Sequence, residues 1–286
     1  MKILVIALIV AMVVGGASAH RSGSGDASTA VPTAAPTEQT AVPTVAPVVS
    51  TGTPIEDLVP KIISVMPHDT SAFTEGLILD HGTFYESTGQ YGQSTLRQVD
   101  PQTGKVLRAI RLPDVAFGEG LALVGDRLIQ LTWKEHTAFV YNRDTFDLIQ
   151  TFSYTGEGWG LCFDGQDLYM SDGSSTITER DPQTFAPLRQ IAVTEGGQPV
   201  VNLNELECVG DSLYENVWLT DTIVQIDKAT GNVTEAIDAA GLLTPQERSR
   251  ADVLNGIAYD PNHQTFFITG KYWPWVFEVV FVPKAS

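Results

Sequence analysis

Basic residues are scarce in this 286-residue chain: 17 Lys and Arg stand against 34 Asp and Glu, a formal net charge of −17. A phosphate backbone would meet repulsion, which excludes nucleic acid as a partner. The acidic excess suits a solvated surface and, more weakly, a cationic ligand such as a protonated amino terminus. Histidine is sparse too. The five copies, at 20, 68, 81, 136 and 263, show none of the spacings that build a zinc site. No compact acidic loop of the calcium-wrapping kind is present, nor a nucleophile elbow, a phosphate-binding loop or a recognisable Cys-His pairing. The long apolar run is confined to the start, Ile3 to Val14, preceded by Lys2 and followed by Ala17-Ser18-Ala19. It is too short for a membrane span and reads as a secretory signal peptide over residues 1–19. The expectation is an exported protein, periplasmic or extracellular, with no stable membrane insertion after cleavage.

The stretch after the leader is rich in Thr, Pro, Ala, Ser and Val and has no apolar periodicity. Residues 20–57 therefore read as a disordered, extended tether that would hold the remainder at the cell surface. Residues 58–286 are enough for one domain with a substantial core, acting as a monomer.

Within that domain a short phrase recurs five times: Glu75-Gly76-Leu77, Glu119-Gly120-Leu121, Trp159-Gly160-Leu161, Asn204-Glu205-Leu206 and Asn255-Gly256-Ile257. The copies are spaced by 44, 40, 45 and 51 residues. Each opens a set of short strand-like runs, as in Leu121–Val124, Leu128–Thr132, Thr137–Asn142 and Leu148–Tyr154, parted by turns such as Gly125-Asp126. A repeat of that length and texture predicts an all-β fold, a five-bladed β-propeller. The last copy lacks room for a fourth strand. The apolar stretch Lys61–Val65, lying before the first copy, is expected to fill that place and close the ring. The long final step holds Thr244-Pro245-Gln246-Glu247, which predicts a short helical insertion near 240–250 with Thr244 as its cap. The only cysteines, Cys162 and Cys208, fall in the first strands of the third and fourth repeats. A disulfide between these neighbours stays open, because their registers differ by one position and a strict alignment turns them to opposite faces.

Two columns of the repeat are filled by unlike residues. The first holds Glu75, Glu119, Trp159, Asn204 and Asn255; the second holds Gly89, Trp133, Gly173, Trp218 and Lys271. Structural positions in a repeat tend to be filled alike, as the Gly-Leu pair is. If both columns face one end of a central channel, carboxylates, carboxamides, indoles and an ammonium converge there.

At these residues the chain resembles the plant and bacterial type of glutaminyl-peptide cyclotransferase (glutaminyl cyclase). The matching stretches include Ala72-Phe73-Thr74-Glu75-Gly76-Leu77, Tyr85-Glu86-Ser87-Thr88-Gly89-Gln90, Phe117-Gly118-Glu119-Gly120 and Leu131-Thr132-Trp133-Lys134. They continue with Gly156-Glu157-Gly158-Trp159-Gly160, Leu203-Asn204-Glu205-Leu206, Asp252-Val253-Leu254-Asn255-Gly256-Ile257 and Thr269-Gly270-Lys271. The resemblance implies an aminoacyltransferase that converts the N-terminal glutamine of peptides and proteins into pyroglutamate with release of ammonia. It implies catalysis by Glu119, with Asn204 and Lys271 as companions, and a pocket of Phe73, Phe117, Trp133, Trp159 and Trp218. Glu75 and Asn255 join the substrate-binding set from the first column. Plant members carry glutamine where this chain has Glu75, which adds a charge to the site. The histidines do not fit the zinc-dependent animal type, and no cofactor or catalytic metal is expected.

The chemistry suits these residues. The α-amine attacks the side-chain amide carbon of its own residue, so catalysis rests largely on holding a folded-back conformer. One buried carboxyl can take the amine's proton and return it to the departing ammonia. Two rival readings remain at this point: a calcium-dependent lactonase-like hydrolase, and a propeller that binds peptides at its aromatic mouth without turnover.

Overall fold

A computed structural model describes residues 55–285. The leader and most of the tether, residues 1–54, lie outside the described residues. Among the described residues no helix is long and apolar enough to cross a membrane.

The fold is all-β and propeller-like. Strand β1 (Glu56–Pro67) is followed by a four-stranded antiparallel sheet of β2 (Thr74–Asp80), β3 (Thr83–Thr88), β4 (Thr95–Val99) and β5 (Val106–Arg111). The second such sheet comprises β6 (Gly118–Val124), β7 (Arg127–Thr132), β8 (Thr137–Asn142) and β9 (Leu148–Ser153). The third comprises β10 (Leu161–Phe163), β11 (Leu168–Met170), β12 (Thr176–Arg180) and β13 (Pro187–Ala192). A two-stranded ribbon, β14 (Thr194–Glu195) with β15 (Gln198–Pro199), comes next. The fourth repeat is β16 (Leu203–Val209), β17 (Ser212–Val217), β18 (Thr222–Asp227) and β19 (Val233–Asp238). Helix α1 (Pro245–Arg248) precedes the last three strands, β20 (Leu254–Asp260), β21 (Thr265–Gly270) and β22 (Trp275–Pro283).

The place left open in the last repeat is filled by β1, which runs antiparallel to β22 from Leu58↔Pro283 to Pro67↔Trp275. Its first residues also pair in parallel with β19, from Glu56↔Glu235 to Leu58↔Ile237. The fourth and last repeats thereby join into one eight-stranded sheet. Strand β1 starts at Glu56, so the last two residues read as tether belong to the sheet. Helix α1 forms where expected: the Thr244 hydroxyl accepts from the Glu247 N–H, the Glu247 carboxylate accepts from the Thr244 N–H, and Pro245 fills the first turn.

The first strand of each repeat packs on the next: β2 on β6, β6 on β10, β10 on β16, β16 on β20, and β20 back on β2. The recurring glycine permits that approach. A Cβ on Gly76 would lie 2.7 Å from the Leu121 nitrogen, and one on Gly120 only 2.5 Å from the Leu161 nitrogen. In the fourth repeat the glycine is replaced by Glu205, whose buried carboxylate accepts from the backbone N–H groups of Leu77 (3.3 Å) and Ile257 (2.7 Å). Between the sheets, apolar faces close into cores such as Ile129, Leu131, Val140, Leu161, Leu168 and Phe185.

Cys162 and Cys208 are joined in a disulfide with their Cα atoms 5.6 Å apart. The one-position offset between them is what the bridge requires. Two neighbouring sheets meet through opposite faces, so residues that touch across the gap must differ by one step in strand register.

Candidate functional site

Four of the five first-column residues, all but Trp159, sit at irregularities of the inner strands. Pairing slips between Thr74 and Gly76 in β2, between Gly118 and Leu121 in β6, between Leu203 and Leu206 in β16, and between Leu254 and Ile257 in β20. A bulge of this kind re-aims the extra side chain out of the sheet. Here it turns Glu75, Glu119 and Asn204 toward one end of the channel.

The second column is clamped beside the first by one repeated backbone bond. Gly89 donates to the Phe73 carbonyl (2.8 Å), Trp133 to Phe117 (3.0 Å), Trp218 to Asn202 (2.8 Å) and Lys271 to Val253 (2.9 Å). In three repeats the next residue then adopts a left-handed backbone without being glycine: Gln90 (φ 89°), Leu219 (φ 68°) and Tyr272 (φ 60°). Each such residue costs roughly 1–3 kcal/mol. The surrounding fold holds them there, and the turn they make leaves Trp218 and Lys271 against the cavity.

That cavity has a volume of about 460 Å³ and is lined by Phe73, Glu75, Phe117, Glu119, Trp133, Trp159, Asn204, Trp218 and Lys271, with Gln90, Leu219, Asp252 and Val253. Nine of the ten residues singled out from the sequence are thus brought together. The exception is Asn255. It is fully buried behind Glu75, donating from Nδ2 to the Thr74 carbonyl (2.9 Å) and to Glu75 Oε2 (3.1 Å), so it supports the site without lining it.

The walls are aromatic. Phe73 meets Phe117 edge-on at 6.0 Å between centroids, Phe117 leans on Trp133 at 5.7 Å, and Trp159 meets Trp218 edge-on at 5.4 Å. Glu157, which sequence reasoning left unassigned, ties two of these rings together. Its Oε2 accepts from the indole N–H of Trp133 (2.7 Å) and of Trp159 (3.0 Å), and its other oxygen lies 3.4 Å from the Lys134 ammonium. Desolvation would raise its pKa, but the two indole donors and Lys134 outweigh that and hold the carboxyl below its ordinary range. The indole N–H groups of Trp133 and Trp159 are thereby both committed to Glu157. The Gly156-Glu157-Gly158-Trp159 run carried the available signal: a carboxylate two residues from a pocket indole.

The polar floor holds Glu75 (1% exposed), Glu119 (6%) and Lys271 (6%). Lys271 Nζ lies 2.8 Å from Glu75 Oε1 and 4.5 Å above the Phe73 ring centroid. Glu75 and Glu119 share a hydrogen bond. Burial raises the pKa of Glu119 well above the carboxylate range, the charge of Glu75 adds to this, and Lys271 offsets only part. Burial also raises Glu75, to about 6, against the pull of Lys271. Of the two adjacent carboxyls Glu119 is the more strongly biased toward its protonated form, because Lys271 and the Asn255 amide favour the ionised form of Glu75. The Asn204 Oδ1 is buried with no partner among the described residues, on a residue that lines the cavity.

Residues 30–281 match the family model described as glutamine cyclotransferase. The chain belongs to the glutamine cyclotransferase family. It is 40% identical over 225 residues to the Arabidopsis thaliana glutaminyl-peptide cyclotransferase, covering 77% of this chain and 70% of that protein. The crystal structure of Myxococcus xanthus glutaminyl cyclase is also 40% identical, with a TM-score of 0.73, covering 81% of this chain and all of that one. The family match spans both columns, the bulged inner strands and the aromatic walls.

Proposed function

We propose that this cyclotransferase-family protein converts the N-terminal glutamine of peptides and proteins into pyroglutamate, releasing ammonia. The observation that carries the reading is the buried Glu119 carboxyl in a cavity walled by indole and phenyl rings. The glutamine side chain packs between Trp133, Trp159 and Trp218 in a folded-back conformer, a positioning effect worth up to about 7–11 kcal/mol. Asn204 Oδ1 accepts from the α-amine and fixes its approach. Lys271, held by Glu75 against Phe73, offers its remaining N–H donors to the amide oxygen as charge builds there. Glu119 is the proton-transfer group for the departing ammonia.

The closed circuit of inner strands and the placement of β1 in the last repeat support five blades in the fold. Lys271 supplies a positive charge beside the carboxyls, which supports catalysis without a metal ion. The disulfide supports an exported, periplasmic or extracellular setting, reached through the leader at 1–19 and held by the tether after it. A monomer suffices for this site.

The test is ammonia release from a glutamine-initiated dipeptide by the full chain, with and without EDTA. Release that survives chelation is expected. No release from folded protein would move the reading to a binding propeller, and release abolished by EDTA would place a metal in the site. A second expectation concerns the wall. Glu157→Gln should raise KM about tenfold, equivalent to ~1.4 kcal/mol, with kcat nearly unchanged, because it loosens two indoles without touching the proton path. Steady-state kinetics check this; an equal fall in kcat would put Glu157 in the chemistry instead.

A further inference from the structure

We propose that Glu75 and Glu119 act as one acid–base pair: Glu75 takes the proton of the attacking amine while Glu119 gives one to the departing ammonia. This rests on the cyclisation reading above and divides between two carboxyls the work that a single shuttle would do in sequence.

The geometry separates their roles. Glu75 is gripped on both oxygens, Oε1 by Lys271 (2.8 Å) and Oε2 by the Asn255 amide (3.1 Å), contacts that favour its ionised form. Glu119 has no such cationic partner of its own and hydrogen-bonds to Glu75. The other titratable groups acting on the pair are Asp252 before β20, Glu157 at the rim, Glu205 on β16, and the phenols of Tyr91 and Tyr154. Lys271 is the one cation among these groups, and it lies against Glu75.

The reaction balances on that arrangement. The neutral amine forms its bond to the amide carbon, and the carbonyl electrons move onto oxygen. The attacking nitrogen, now positive, loses one proton to Glu75. Glu119 protonates the amide nitrogen, the carbon–nitrogen bond breaks, ammonia leaves and the carbonyl reforms. One proton has entered the pair and one has left. Transfer along the Glu75–Glu119 hydrogen bond restores the starting state, and the pair, neutral while it holds both protons, ends with the charge it began with.

Two measurements on the full chain test this. The first compares pH profiles of kcat/KM for the protein and Glu75→Gln. The protein should give a bell: activity rises as the substrate amine deprotonates, near a pKa of about 7.7–8.0, and falls as Glu119 loses its proton. In Glu75→Gln, Glu119 loses its anionic neighbour and gains access to Lys271, so it ionises at lower pH and must work alone. The basic limb should vanish into a plateau, and peak activity should fall by up to about 10²-fold, the low end of an acid–base contribution. The same bell in both would overturn the proposal and leave Glu75 an anchor for Lys271. The second measurement needs no active variant: infrared spectra at neutral pH should show a protonated-carboxyl band in the protein that Glu119→Gln loses. An unchanged band would overturn it as well. If the band is lost but the protein releases no ammonia, the shared proton stands, whereas the cyclisation reading and the pair's assigned task fail.

Discussion

Glu119→Gln is expected to abolish ammonia release while leaving the fold intact. The glutamine amide matches the carboxyl in shape and can still donate a hydrogen bond to Glu75, so packing around the site should be kept. It cannot release a proton to a leaving group at any accessible pH. The expected loss is roughly 10³-fold in kcat, the middle of the range for a positioned acid. The unfolding midpoint should stay level or rise, because a buried carboxyl lying against another carboxyl is exchanged for a neutral amide. Initial rates and thermal unfolding on the same samples check both halves. A variant that kept a tenth of its activity would remove Glu119 from the proton path.

The second large effect is structural and falls one residue away. Gly120→Ala should destabilise the whole ring, by about 3 kcal/mol or more. A methyl there would meet the Leu161 nitrogen at 2.5 Å, the Gly160 carbonyl carbon at 2.6 Å and the Gly160 Cα at 2.7 Å. All three are backbone atoms of the next repeat, so no side chain can swing aside. The Gly120 N–H also donates to the Trp159 carbonyl at 2.7 Å, and separating the strands would strain this bond. Chemical denaturation measures the loss. A shift below about 1 kcal/mol would mean that the inner strands can move apart more readily than their packing indicates.

The two cases show which parts of this protein its sequence displays. Repeat spacing is a property of the chain, so the phrase beginning at Glu75, Glu119, Trp159, Asn204 and Asn255 marks the inner strands in the sequence itself. The apolar run ahead of the first copy found its place in the last repeat by the same logic. Depth is a different matter. Asn255 stands in the same column as Glu119, but the repeat does not show that one side chain would line a cavity and the other lie behind Glu75. Glu157 carries no periodic mark, and its role depends on two indoles from different repeats converging on one oxygen. The cysteines show a third kind of limit. Their offset looks adverse along a single strand register and becomes favourable only when two sheets face one another. Partnership across repeats, as with Lys271 and Glu75, is set by ring closure and has no counterpart in local spacing.

The seam at β1 has a mechanical consequence. The strand lies along β22 through most of its length and against β19 at its first residues, so it is bonded on both edges where the chain enters the domain. A pull applied through the residues ahead of Glu56 runs along the strand axis. It loads the flanking hydrogen bonds together, in shear, instead of peeling them one at a time from an open edge. The domain would therefore resist force from its amino-terminal side much as a lap joint does, with the load spread over two repeats before it reached the aromatic cage.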